Sequence, residues 1–321
     1  MPGSAGETGD AGYGPLLFSI AYGMTGSVGD AEDIVQDALL GLTRARQAGT
    51  TILDPRAYLT TAVTRLGINH LGSARVRRET YVGDWLPEPV VVPADRPAEH
   101  AELADSLSMA FLVLLETLSP VERAVFMLRE VFGYSYQEVA RATGKTDVNC
   151  RQIFARARQR IAAGGQARDG ASDPARRAEG AELARRFFEA AAGGDMDVLL
   201  SMLAPDVVLH GDGGGKAQAI RKPVTGRQRV AQLLVGVLRR GQTLGFSLRL
   251  AWVNGRPGAV KYDADGRVVS VVELDLADGE VQAIRSVNNP DKLGHVGPVS
   301  DVARRPGTRA HADVGRPEPR Q

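Results

Sequence analysis

YSYQEVARATGKTDVNCRQIFARARQRI, residues 134–161, decides how this chain is read. Two helical segments flank Gly144, where a tight turn needs a residue that takes positive φ at little cost. The first is predicted near Tyr136–Thr143, with Val139 and Ala140 facing inward. The second turns Thr146, Asp147, Asn149, Arg151, Gln152 and Arg156 outward. Through Ala163 the segment carries six basic residues against two acidic, whereas the whole chain is only +1. Positive charge gathered on a polar helix after a short glycine turn is the footprint of a helix-turn-helix that reads DNA. A helical hairpin with a solvated arginine face is the plainer alternative, and the rest of the chain has to choose between them.

At 321 residues and 43% hydrophobic content, the chain is long enough for two or three packed units. No run of about 18 apolar residues occurs, so no membrane span is expected. MPGSAGETGDAGYG at the start lacks the basic end and apolar core of a signal peptide. The single cysteine, Cys150, excludes an internal disulfide and a cysteine-rich zinc site. A cytoplasmic protein is expected.

Apolar residues recur at helical spacing in LLFSIAYGM, IVQDALLGL and AYLTTAVTRLGINHL, so residues from about Pro15 to Gly83 read as almost wholly helical. Asp30 is the expected N-cap of the second helix, and Asp54-Pro55 opens the third. WLPEPVVVPADRP then interrupts any helix with four prolines and stiffens the connection to a second helical block. After Gly164–Pro174 the period changes. Two amphipathic helices, one around Leu183, Phe187 and Ala191 and one after Gly226, accompany β-branched runs. Asn254-Gly255, Asp265-Gly266 and Asp278-Gly279 separate those runs as hairpin turns. Helices followed by an antiparallel meander describe an α+β cone, a curved sheet wrapped around helices. The Pro-, Gly- and Arg-rich tail is expected to be disordered.

DAEDIVQDALL (30–40) holds four acids and no base, with Asp33 and Asp37 on one helix face around Gln36. With no histidine or third carboxylate at ligand spacing, a docking face for a basic partner or a plain solvated face fits better than a metal site. The next helix ends in Asn69, His70, Arg75, Arg77 and Arg78, then Tyr81, a basic and aromatic mixture suited to phosphate contact and base stacking.

The order of acidic helix, basic aromatic helix, proline-rich linker and helix-turn-helix resembles a bacterial RNA polymerase sigma factor of the extracytoplasmic-function group. DAEDIVQDALL looks like the region-two motif that grips polymerase, and YLTTAVTRLGINHLGSARVRRE like the helix that melts and reads the minus-ten element. LSPVERAVFMLREVFGYSYQEVARATGKTDVNCRQIFARARQRI resembles region four, which reads the minus-thirty-five element. WLPEP (85–89), DGGGK (212–216) and NPDKL (289–293) resemble signatures of the branch with a fused SnoaL-like domain, the sigma factor J type. The implied layout is region two over 14–83, a linker over 84–98, region four over 99–163, a linker over 164–177, a SnoaL/NTF2-like α+β unit over 178–293 and a disordered tail over 294–321. The fold class is therefore two all-α units plus an α+β cone.

The resemblance implies core RNA polymerase (clamp and flap regions) and promoter DNA as partners. It requires no cofactor, metal, membrane or separate anti-sigma protein, and leaves room for a small-molecule ligand in the cone. Asp30, Asp33, Gln36 and Asp37 are expected to bind polymerase. Asn69, His70, Arg75, Arg77, Arg78, Thr146, Asn149, Arg151, Gln152 and Arg156 are expected to bind DNA. Trp85, Leu86, Pro87, Asp212, Gly213, Gly214, Gly215, Lys216, Asn289, Pro290, Asp291, Lys292 and Leu293 are expected to form an interdomain latch, with Trp85 its apolar anchor.

His210 and Asp212 could line a cone pocket as a proton-moving dyad, but a satisfied strand-end histidine is the plainer reading, and no catalytic residue is assigned. Cys150 is read as a small helix-face residue in preference to a redox switch. A ligand-sensing helix-turn-helix regulator that does not bind core polymerase remains the alternative; it leaves the acidic and basic aromatic helices without a role.

Overall fold

A computed structural model describes residues 11–79, 81–94, 107–163 and 174–301. Helix α1 (Gly14–Thr25), α2 (Val28–Gln47) and α3 (Pro55–Glu79) form the first helical unit. Ser27, not Asp30, caps α2: its hydroxyl accepts from Asp30 N at 3.2 Å, which puts Asp30 in the first turn. Asp54 caps α3 as expected, accepting from Ala57 N at 3.0 Å.

The second unit comprises α4 (Met109–Leu115), α5 (Pro120–Phe126), a π turn at Met127–Val131, α6 (Tyr136–Thr143) and α7 (Asp147–Ala163). Ser135 and Glu138 make a capping box at the start of α6, satisfying two backbone N–H groups the helix itself cannot. Gly144 ends it at φ +68°, as the turn requires. Val139 is buried, but its buried companion is Ala142, not Ala140.

Both expected all-α units are present, and they share a core. A single core runs through both: Leu17, Ile20, Tyr22, Leu59 and Val63 join Leu107, Leu112, Val125, Met127, Val139, Cys150 and Ile153. Arg123 on α5 is buried at this seam, donating from Nε to Gly23 O of α1 at 2.9 Å and pairing with Glu116. Burial pushes its guanidinium down to about 9, which still leaves it charged at neutral pH. Helices α3 and α6 also touch. Arg65 donates to Ala142 O and Arg141 O at 3.3 and 3.1 Å, and the Thr60 and Tyr134 hydroxyls lie 3.1 Å apart.

The cone contains α8 (Pro174–Gly193), α9 (Met196–Met202), β2 (Leu203–Asp212), β3 (Val224–Thr225) and α10 (Arg227–Thr243). It continues with β4 (Ser247–Val253), β5 (Arg256–Tyr262), β6 (Val268–Ala277) and β7 (Glu280–Val287). Its core gathers Phe187, Ala191, Leu199, Val207, Val230, Leu274 and Ile284. With β1 the short strand Val91–Pro93, the sheet order is β1-β4-β5-β6-β7-β2-β3, and the expected antiparallel meander is β4 to β7. Pairing of β2 with β7 is parallel: α10 carries the chain from β3 across to β4, and the four-strand meander returns to end beside β2.

Strand β1 is Val91–Pro93, from the proline-rich linker. It pairs antiparallel with β4, Val91 opposite Val253, so the linker is an edge strand of the cone as well as a spacer. Proline at the end of an edge strand costs no ladder hydrogen bond that the sheet needs. The tail also differs from expectation. Val299 bridges to Val268, and Ser300 is fully buried with its hydroxyl donated to Asp263. The predicted disorder beyond Asp301 lies outside the described residues.

Candidate functional site

Three surfaces carry the candidate residues. On α2, Asp33, Gln36 and Asp37 are exposed together with Glu32, beside a shallow groove of Phe18, Val35, Leu39 and Leu40. An apolar strip rimmed by carboxylates matches a basic, partly apolar partner. Asp30 is not equally free: its carboxylate lies 3.2 Å from His70 Nε2 on α3. That contact ties one expected polymerase residue to one expected DNA residue.

On α3, Asn69 is exposed and His70 half-buried, while the side chains of Arg75, Arg77 and Arg78 lie outside the described residues. Tyr81, read as a stacking platform for a base, is committed elsewhere, as given below. On α7, Asn149, Gln152 and Arg156 are exposed, and the Thr146 hydroxyl accepts from Asn149 N at 3.2 Å to start the helix. Arg151 is exposed but occupied, pairing with Asp147 at 3.0 Å and lying 4.4 Å from the Tyr136 ring centre. Cys150, on the opposite face, is fully buried in the shared core, which matches the plain reading of it.

The third surface brings WLPEP, DGGGK and NPDKL together around Asp212, at the end of β2. Its carboxylate is completely buried and accepts four hydrogen bonds: from the Tyr81 hydroxyl, Leu86 N at 2.9 Å, Gly214 N at 3.1 Å and Lys292 Nζ at 2.7 Å. Lys292 also donates to Leu86 O and lies 4.4 and 4.8 Å from the ring centres of Trp85 and Tyr81. Asn289 donates to the Tyr81 oxygen at 2.8 Å, and its backbone N–H bonds Asp212 O. Burial and the Asp212 carboxylate push the Tyr81 phenol far above its usual range, so it stays a donor. Gly214 sits at φ +55°, and a Cβ there would lie 2.3 Å from the Asn289 amide nitrogen. Only glycine fits that approach.

Charge pairing in this clasp is crosswise. Asp212 takes Lys292 of NPDKL, and Lys216 takes Asp291. The second pair is exposed and contributes little, about 0–1 kcal/mol. The apolar anchor is Leu86, not Trp85: Leu86 is 2% exposed among Met109, Val253, Val271, Val287 and Leu293, while Trp85 is half-buried against Gly26. Pro87 is buried, Pro290 is buried and Gly213 approaches Ala217 O so closely that a Cβ would lie 2.7 Å away. Gly215 lies against Val82.

Several residues outside the sequence reading extend the clasp to both helical units. Glu88 of WLPEP caps α2, accepting from Ser27 Oγ at 2.9 Å and Val28 N at 2.7 Å, where a carboxylate meets the positive end of the helix. Asn254, in the β4–β5 turn, donates to the Tyr22 hydroxyl at 2.7 Å and to Leu107 O at 3.0 Å, and accepts from Val90 N at 3.1 Å. One cone side chain thus joins the first unit, the linker and the approach to α4. Glu273, fully buried, accepts from Met109 N at 3.1 Å and pairs with Arg285 at 3.1 Å. Burial outweighs Arg285 and pushes its carboxyl up to about 7. Asn254 had read only as a turn former, and Glu273 as one strand residue among many.

His210 and Asp212 do not form a dyad. His210 Nδ1 lies 3.2 Å from Asp84 Oδ2 in the linker, and burial lowers its pKa, so it is a neutral hydrogen-bonding partner near pH 7. Asp212 turns to the clasp, where four donors occupy it.

Residues 11–77 match the Sigma-70 region 2 family, 108–161 the Sigma-70 region 4 family, and 184–288 the SnoaL-like domain family. The ECF RNA polymerase sigma factor SigJ of Mycobacterium tuberculosis is 40% identical over 286 residues, covering 86% of this chain and 89% of SigJ. This chain belongs to the ECF sigma factors. The probable ECF sigma factor SigI of the same species is 33% identical, covering 86% of this chain and 91% of SigI. The crystal structure of the M. tuberculosis SigJ sigma factor superposes with a TM-score of 0.71 at 35% identity, covering 92% of this chain and 99% of that one. Core RNA polymerase and promoter DNA are therefore the partners of this sigma factor, and the regulator that ignores polymerase is not favoured. Sigma factors are initiation factors, not enzymes. Among the described residues no helix is long and apolar enough to cross a membrane.

Proposed function

We propose that the fused cone regulates this sigma factor in cis by holding its linker and both helical units in a closed arrangement. In that arrangement α3 and α6, from the units expected to read the two promoter elements, pack against each other. The minus-ten and minus-thirty-five elements lie roughly 25 base pairs apart, about 85 Å of duplex at 3.4 Å per pair. Touching helices cannot serve both, so promoter engagement requires the units to part. The observation that carries this is the Asp212 carboxylate, which binds Tyr81 after α3, Leu86 in the linker and Lys292 in the cone at once.

Polymerase docking is assigned to the acidic, leucine-bearing face of α2 with Asp33, Gln36 and Asp37, toward the clamp. Region four would meet the flap. Asn149, Gln152 and Arg156 are the DNA-facing residues of α7, joined by Arg151 once it leaves Tyr136. Run-off transcription with purified core enzyme tests the proposal. An Asp212→Ala, Lys216→Ala chain should still co-purify with core and should give higher promoter output. Unchanged output from a folded, core-binding variant would reject cis regulation through the clasp.

A further inference from the structure

The cone encloses a cavity of about 590 Å³, within the usual size of small-molecule sites. Its walls are mostly apolar, with Phe187, Leu234, Phe246, Val272 and Ile284 among them. The charged groups on its lining are Lys261 and Arg240, and no carboxylate lines it. Lys261, on β5, is half-buried, has no carboxylate within ion-pair distance among the described residues, and lies 5.4 Å from the Phe246 ring centre. Its burial lowers its pKa, as expected for an ammonium group partly removed from water without a counter-charge. An apolar chamber that supplies cations and no anion suits a ligand with an apolar body and one negative head. His210, also on the lining, lies 3.2 Å through Nδ1 from Oδ2 of Asp84, the residue before Trp85. One side chain therefore separates the cavity from the linker.

We propose that this cavity binds a small amphipathic carboxylate, with Lys261 as its charge partner, and that the His210–Asp84 contact passes occupancy on to the linker. The second half rests on the clasp proposed above; the first does not.

Calorimetry on the full chain with three isosteres separates the head groups: 1-naphthaleneacetate, 2-(1-naphthyl)ethanol and 2-(1-naphthyl)ethylamine. The acid should bind at least about tenfold more tightly than the alcohol, the usual scale of one charged hydrogen bond, and the amine most weakly. Lys261→Met should bring the acid down to the alcohol while leaving the alcohol unchanged. Equal affinities, no binding by any of the three, or an acid preference that survives Lys261→Met would overturn the site. In a Trp252→Phe background, leaving Trp85 as the only tryptophan, the acid should shift Trp85 fluorescence. Asp84→Ala should abolish that shift with affinity held within about twofold, as expected for a residue outside the cavity lining. Binding without any Trp85 response, or a shift that survives Asp84→Ala, would overturn the coupling. Because neither readout uses polymerase, a failed clasp in run-off transcription remains distinguishable from a failed cavity.

Discussion

Asp212 and Lys292 allow the clasp to be measured as a coupling energy. Removing the carboxylate with Asp212→Ala takes from Lys292, only 7% exposed, its buried ion-pair partner at 2.7 Å, while Leu86 O and two aromatic rings stay in place. Breaking a buried ion pair from one side costs about 3–5 kcal/mol. The contacts Lys292 retains argue for the lower end, about 3 kcal/mol, with the loss of the acceptor for Leu86 N included. Lys292→Met leaves Asp212 with three donors, Tyr81, Leu86 N and Gly214 N, and should cost less, about 2 kcal/mol. The double variant buries no unpaired charge. It should cost about 3 kcal/mol, so the singles overshoot it by about 2 kcal/mol. Urea unfolding followed by Trp85 fluorescence, with Trp252→Phe as the common background, gives all four corners of the cycle. Additivity within about 0.5 kcal/mol would show that the two side chains do not act as a pair and would refute the reasoning.

Asn254→Ala should destabilise the chain by about 2–4 kcal/mol in the same assay, since Val90 N loses its acceptor and alanine is strained at the φ of +49° found there. Glu273 makes stability fall with rising pH. Its carboxyl titrates near 7 in the folded chain against an ordinary 4.5, so its contribution is complete below pH 4.5 and lost as pH rises through 7. The ceiling is about 3 kcal/mol at 1.36 kcal/mol per unit, and Glu273→Gln should flatten the slope of urea midpoints between pH 5 and 8. For DNA, Arg156→Ala should weaken binding to all duplexes alike and reduce the salt slope by about one, while Asn149→Ala should cost roughly 1–3 kcal/mol at one base pair only. Filter binding to matched and mismatched minus-thirty-five duplexes at several salt concentrations separates the two.

What the sequence disclosed was local. Gly144 and the arginines of 151–160 announce their helix-turn-helix because turns and polar faces follow from short-range chemistry. The three glycines of DGGGK likewise mark a close backbone approach, and at Gly214 the neighbour is Asn289 of the third motif. Residues whose partners are far away in the chain were silent. Asn254 in an Asn-Gly turn looks the same whether its amide meets water or Tyr22, which is 232 positions distant. Glu273 alternates within a strand and gives no sign that Met109 N lies 3.1 Å away. The prolines of WLPEPVVVPADRP excluded a helix and read as a stiff connection, yet Val91–Pro93 forms a strand, because an edge position exempts proline from the ladder. The shared core of the two helical units was equally illegible: each reads as a self-sufficient amphipathic bundle, and periodicity does not say which face meets which.

Förster transfer between the two helical units tests closure and opening most directly. Leu53 is 93% exposed and Glu130 is exposed, so cysteines placed there label cleanly, while native Cys150 is fully buried. Transfer should be high in the free chain, unchanged by core polymerase buffer alone, and should drop when core enzyme and promoter DNA are bound together. A complex that initiates transcription while retaining the free chain's transfer efficiency would contradict the account.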